Sequence, residues 1–202
     1  MHSNNPLSSI PPVTRNVLIA IVVMFLFQQI LAGSAGGQFI GRYFPLYPID
    51  TTWFYPWQLL TYALLHGNLM HLFFNGFAIW MFGSQIEHYW GEKRYGIFIV
   101  VCIIGSGLAN ALLSQAPAIG ISGAVYGLLV AYGMMWPNHT IQLIIPPIPM
   151  KAKYFVMIFA GIALISSINP RNDGIAHIAH LGGAITGFLL IQYWRKKPPF
   201  KW

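Results

Sequence analysis

The feature that most constrains this chain is a succession of apolar runs separated by polar or proline-containing breaks. Six can be read, at about 16–33, 69–88, 95–114, 122–136, 152–168 and 175–194. A hydrocarbon core about 30 Å thick needs about 20 helical residues to cross. Helices also satisfy their own backbone hydrogen bonds, which lipid cannot do. The runs therefore predict an all-α, polytopic membrane protein. Composition agrees, with 56% hydrophobic and only 7% charged residues, against about 25% charged in a soluble domain. The expected organisation is one six-helix domain over 16–194, a tail over 1–15 and a basic tail over 195–202.

The first run has Arg15 before it and Ala32, Gly33, Ser34 and Ala35 after it, a weak likeness to a signal peptide. Five further runs follow, so it reads as a retained span. The net charge of +7 does not point to nucleic acid, because no basic stripe interleaves with aromatics on a polar surface. The basic residues instead lie between or beyond the apolar runs, where they encode orientation. With the N-terminus inside, the inner side holds Arg15, Lys93, Arg94, Lys151, Lys153, Arg195, Lys196, Lys197 and Lys201. The outer side holds Arg42 and Arg171. That bias predicts both termini in the cytoplasm. The single cysteine, Cys102, lies inside an apolar run and reads as a small packing residue.

Two segments depart from a simple bundle. The stretch from Ser34 to Pro56 is read as a long loop. Aromatics crowd it and its flank (Tyr43, Phe44, Tyr47, Trp53, Phe54, Tyr55, Trp57), which suits the headgroup region. The fourth run is short: from Ser122 to Met135, before Trp136-Pro137 stops it, it spans about 21 Å at the helical rise. The loop from Gln115 to Ile121 must then descend into the protein, which irregular backbone does only when buried or beside water. Ser122 is predicted at a helix N-terminus, below the surface.

Polar residues within spans are costly and mark function by default. They collect in three segments: His66, Asn68, His71 and Asn75; Ser122 and Tyr126; His177 and His180. Gly123 and Gly127 form one small-residue face, and Gly183 and Gly187 another, so the fourth and sixth helices can approach closely. Packing these faces brings His180 level with Ser122. A serine beside a neutral imidazole is the minimum for nucleophilic catalysis. Tyr126 lies one turn below, where it can support the ring. The oxyanion needs fixed donors; the Ser122 N–H is free at a helix start, and His71 and Asn75 share one helix face. Glu87 and Glu92 are expected inside, and Asp50 and Asp173 in outer loops, so a Ser–His dyad is expected rather than a triad.

Taken singly, each feature has a plainer reading. An intramembrane serine usually bonds its own preceding turn, and Asn75 alone would join helices. His66 reads as structural, bonding loop backbone, and His177 as a polar neighbour of the base. What changes the balance is three segments offering a nucleophile, a base and donors at one depth. A metal site on His66, His71, His177 and His180 is disfavoured, since no acid or thiolate accompanies them. No cofactor is called for. A nucleophile elbow is excluded because Ala124 stands where its second glycine would be.

The segment Gly120-Ile121-Ser122-Gly123-Ala124-Val125-Tyr126-Gly127 resembles the GxSGxxYG motif of the rhomboid family. The segment from His66 to Asn75 is similar to that family's spaced histidines followed by HxxxN. Ala179-His180-Leu181-Gly182-Gly183, continuing to Gly187, is similar to its AHxxGxxxG. The resemblance implies a bacterial-type six-helix intramembrane serine endopeptidase in the plasma membrane, cutting single-pass transmembrane substrates near the outer face. It implies Ser122 as nucleophile, His180 as base, Tyr126 stacked under it, His71 and Asn75 at the oxyanion, and Gly120 shaping the loop. It also implies polar contacts of Glu87, Lys93 and Arg94 at the inner end of the second helix. Where the family often has Trp-Arg, this chain has Trp57-Gln58, so a loop-anchoring salt bridge is not expected. The other expectation to weigh is a catalytically silent relative that binds client helices.

Overall fold

A computed structural model of the chain describes residues 10–142, 148–168 and 176–195. Arg171, Asp173, Lys196, Lys197, Lys201 and most of the C-terminal tail lie outside the described residues.

Helix α1 runs Pro12–Ile30, opened by Pro11 and Pro12, where proline's missing N–H costs nothing. Only Thr14, Ile21 and Phe25 are buried, so α1 presents one stripe inward and apolar side chains outward. The expected loop after it contains a helix, α2 (Ala35–Tyr43), whose N-cap Ser34 accepts from the Gly37 N–H at 3.2 Å. Gly36, Gly37 and Gly41 hide it from the sequence, because glycine opposes helix formation. None of its residues is buried, and Phe39 projects from it. The aromatic cluster follows: Tyr55 stacks on Trp57 with centroids 4.5 Å apart, and Arg42 lies 4.3 Å over Trp53. Helix α3 (Gln58–Thr61) and a 3₁₀ turn (Tyr62–Leu64) lead inward.

The second apolar run forms one continuous helical column of three parts: α4 (Leu69–Ala78), a π-helical segment (Ile79–Gly83) and α5 (Ser84–Trp90). Asn68 caps it by accepting from the His71 N–H at 2.8 Å. Gly91, at φ +78°, ends it and starts α6 (Glu92–Leu113) directly. Helix α7 (Ser122–Met135) has 14 residues, most of them buried, and ends at Trp136 before Pro137. A small antiparallel ladder follows, β1 (Thr140–Gln142) on β2 (Pro149–Lys151), with Thr140 opposite Lys151; the sequence reading did not foresee it. Helices α8 (Ala152–Ile168) and α9 (His177–Arg195) complete the described chain.

Helix α7 is the centre, packed most closely on α9, with α6 and α8 beside it. The glycine faces meet as spacing requires. A Cβ at Gly183 would collide with the Gly123 carbonyl, and one at Gly187 would stand 2.8 Å from Gly127 Cα. Cys102 is buried against Gly127. Apolar side chains cover the surface as well as filling the core. Leu69, Phe74, Met157, Ile165 and Leu189 are exposed, while Gln58, His66, Asn75, Glu87, Ser106 and Asn110 are buried. Among the described residues, α1 and α6 are each by themselves long and apolar enough to cross a membrane. The π segment divides the second column into shorter pieces.

Polar clasps hold the periphery. Both Glu87 carboxylate oxygens accept from the first amides of α1, Val13 N at 2.8 Å and Thr14 N at 2.7 Å. These are donors that a helix start leaves open. Glu87 thus caps a different helix, while Arg94 lies 5.1 Å over the Trp194 ring. At the other end of α1, the Gln28 amide grips the His66 backbone, accepting from its N–H at 3.1 Å and donating to its carbonyl at 3.3 Å. Gln58, where the family often has arginine, anchors the aromatic shelf through neutral bonds. Its Oε1 accepts from Tyr55 N at 3.1 Å, and its Nε2 donates to the Trp53 carbonyl at 3.0 Å.

Candidate active site

The loop before α7 descends as expected, and its backbone is paired by the shelf. Leu46 and Ala118 exchange both N–H···O bonds, at 3.0 and 2.8 Å, and Gly120 N donates to the Tyr62 carbonyl at 2.9 Å. Buried Asn110 donates to the Ala116 carbonyl at 3.1 Å. Gly120 sits at φ +104°, and a Cβ there would stand 2.7 Å from His71 Nε2. The positive φ favours glycine, and the missing Cβ lets the His71 ring lie against the loop that precedes Ser122.

Ser122 opens α7. Its Oγ lies 2.7 Å from His180 Nε2, on the second turn of α9. The Tyr126 ring, one turn along α7, is stacked on the His180 imidazole with centroids 4.4 Å apart and planes 12° from parallel. His177 stands edge-on to His180, with centroids 6.0 Å apart. Across the site, Asn75 is buried and its Nδ2 has no hydrogen-bond partner among the described residues. It faces the Gly120 position from 3.8 Å. A buried donor without an acceptor is costly, and the position suits a group that arrives with a substrate.

His66 packs edge-on against His71 at 5.0 Å, and its Nδ1 lies 3.3 Å from the Leu64 carbonyl. Burial, reinforced by neighbouring His71, pushes its pKa down to about 4, so this ring is neutral at ordinary pH. The Ser122–His180 pair can pass a proton from the hydroxyl to Nε2, and the groups around it can offer donors to a developing oxyanion. Among the described residues no group of three His, Cys, Asp or Glu side chains is placed to hold a metal ion.

Sequence reasoning missed two supports of this site, buried Ser106 and half-buried Gln28. Ser106, midway along α6, bonds the Ala179 carbonyl, and Gln28 fixes the His66 backbone. The signal for both was the one applied elsewhere, a polar side chain inside an apolar run.

The residue pattern of the rhomboid domain matches residues 54–197. The chain belongs to the rhomboid family, and with it to the helical, polytopic integral membrane proteins. It is 26% identical over 196 residues to the rhomboid protease GlpG of Photorhabdus laumondii, covering 94% of this chain and 64% of that one. The GlpG proteins of Yersinia pseudotuberculosis and Serratia proteamaculans are 27% and 28% identical over 190 and 185 residues. Those matches cover 91% of this chain and 62% of each relative. The chain thus spans just under two thirds of the length of these curated relatives.

Proposed function

We propose that this protein is an intramembrane serine endopeptidase. Six helical runs cross the bilayer with both termini cytoplasmic, and 16–194 forms the protease domain. Its substrates are single-pass transmembrane proteins cut near the outer face. The observation that carries this reading is the 2.7 Å contact between Ser122 Oγ and His180 Nε2 at the start of a short, buried helix.

Ser122 Oγ attacks the scissile carbonyl while His180 Nε2 takes its proton. The oxyanion forms beside the Ser122 N–H, the Asn75 Nδ2 and the His71 ring, with Gly120 letting that ring approach. Collapse of the tetrahedral intermediate breaks the peptide bond, and His180 returns the proton to the leaving amine. Water, activated by the same imidazole, then releases the acyl group. Tyr126 holds the base by stacking, the role a third acidic member has in a triad.

A fluorophosphonate probe tests the proposal on the protein purified in detergent micelles. Wild type should be labelled and Ser122→Ala should not. His180→Ala should lose both labelling and cleavage of a transmembrane substrate while remaining folded, whereas His177→Ala should keep most activity. Folded wild type that resists the probe, under conditions where an active relative reacts, would leave the silent client-binding reading standing.

A further inference from the structure

Ser106 lies midway along α6 between Gly105 and Gly107 and is completely buried. A serine inside a membrane helix ordinarily turns its hydroxyl back onto its own preceding turn. Here the Oγ reaches to another helix and donates to the Ala179 carbonyl at 2.8 Å. Ala179 immediately precedes His180. On its other side Ser106 meets Gly123, the residue immediately after Ser122. A Cβ at Gly123 would collide with Ser106 Oγ and stand 3.2 Å from the Ala179 carbonyl oxygen. One hydroxyl is thus wedged between the chain neighbour of the nucleophile and the chain neighbour of the base.

The surrounding contacts make that wedge stiff. A Cβ at Gly182 would stand 3.3 Å from both Ser106 Cα and the Gly105 carbonyl oxygen, so α6 and α9 meet here backbone to backbone. Ala179 belongs to the first turn of α9, and first turns are the least constrained part of a helix. Anchoring this turn to the middle of α6, itself packed against Gly123, ties the position of His180 to that of Ser122.

We propose that Ser106 is a positioning residue that sets the distance between Ser122 and His180. This inference rests on the dyad reading. It places no new group on the substrate; Ser106 acts only through the two backbones it separates.

The test compares Ser106→Ala with Thr186→Val on the full chain in micelles. Thr186 lies in the same α6–α9 seam, further from His180; its hydroxyl bonds the Gly182 carbonyl of its own helix at 2.8 Å, and its side chain packs on Gly105. Four quantities are read: the rate of fluorophosphonate labelling at Ser122, kcat, KM and the thermal midpoint. In Ser106→Ala, labelling and kcat should fall together by about 10- to 100-fold, the cost of a misplacement near 1 Å. KM should stay within about twofold, since uniform binding is untouched. Thr186→Val should move the midpoint and leave labelling within about twofold of wild type.

Ser106→Cys, which keeps a side chain of similar shape but a weaker donor, should fall between Ser106→Ala and wild type. It replaces Ser106→Ala if that variant does not fold. Wild-type labelling in Ser106→Ala, or in the folded Ser106→Cys when it stands in, overturns the inference alone. So does an equal loss in Thr186→Val at an equal midpoint shift. Wild-type protein unlabelled at Ser122 overturns the dyad, and the inference with it.

Discussion

Helices α1 and α7 are attached to the same bundle by opposite means. Helix α1 buries three residues and is clasped at both ends by polar side chains, Glu87 on its first amides and Gln28 on the His66 backbone. Helix α7 is buried on nearly every side and meets α9 through glycines, backbone against backbone. In lipid the hydrophobic effect does not drive helices together, which leaves close van der Waals packing and interhelical hydrogen bonds. This chain uses packing at its centre and hydrogen bonds at its edge. The difference matters for the site, because a backbone seam cannot yield without moving Ser122 relative to His180, whereas a clasp can.

The sharpest break of that contrast is Gly183→Ala. Its methyl would meet the Gly123 carbonyl, which is backbone and cannot swing aside. A loss of about 3 kcal/mol or more is expected, read as a lowered thermal midpoint, together with loss of cleavage even in the folded fraction. Asn75→Ala tests a residue that neither clasps nor packs a seam. Turnover should fall by about 10²–10³-fold with the thermal midpoint nearly unchanged, and an equal fall in midpoint would make Asn75 structural.

The clasp near the C-terminal end of α1 holds the backbone of His66, whose pKa is lowered from 6.5 to about 4. A histidine depressed in the folded state contributes stability that is present above its unfolded pKa. That stability is lost as pH falls from about 6.5 through about 4, and should reach about 3 kcal/mol. Unfolding followed across that window should show it, and His66→Gln should flatten the dependence. Glu87→Gln is the mildest change, exchanging one charge-assisted bond for a neutral one at the base of α1. It should cost about 1–2 kcal/mol and leave turnover below the transition unaltered. Turnover that falls as steeply as in Gly183→Ala would erase the distinction between clasp and seam.

The sequence carried what is local. Asn68, Gly91 and Trp136-Pro137 are helix stops and starts written in residue type, so they delimit the second, third and fourth runs closely. The spacing of Gly123, Gly127, Gly183 and Gly187 was enough to bring His180 level with Ser122, and the structure has these side chains 2.7 Å apart. What stayed hidden depends on partners distant in the chain. Nothing near Glu87 reveals that its carboxylate will cap a helix seventy residues earlier, and Ser106 gains meaning only once Ala179 and Gly123 surround it. Helix α2 escaped for a local reason, because three glycines argue against the helix that Ser34 caps. Gln58 was read only as a missing charge, yet its amide, both donor and acceptor, bonds backbone groups on either side of it.

The π-helical segment at Ile79–Gly83 divides the second column into two independently phased halves. Above it, α4 aims His71 and Asn75 at the loop before Ser122; below it, α5 aims Glu87 at α1. Each residue added to or removed from an α-helix turns everything beyond it by about 100°. One straight α-helix would have to satisfy both aims with a single phase. The wide turn acts as a coupling between shafts, letting the upper face be set for chemistry and the lower for assembly. Removing one residue there would leave the side chains of α4 and α5 intact and swing the donors of α4 away from the serine.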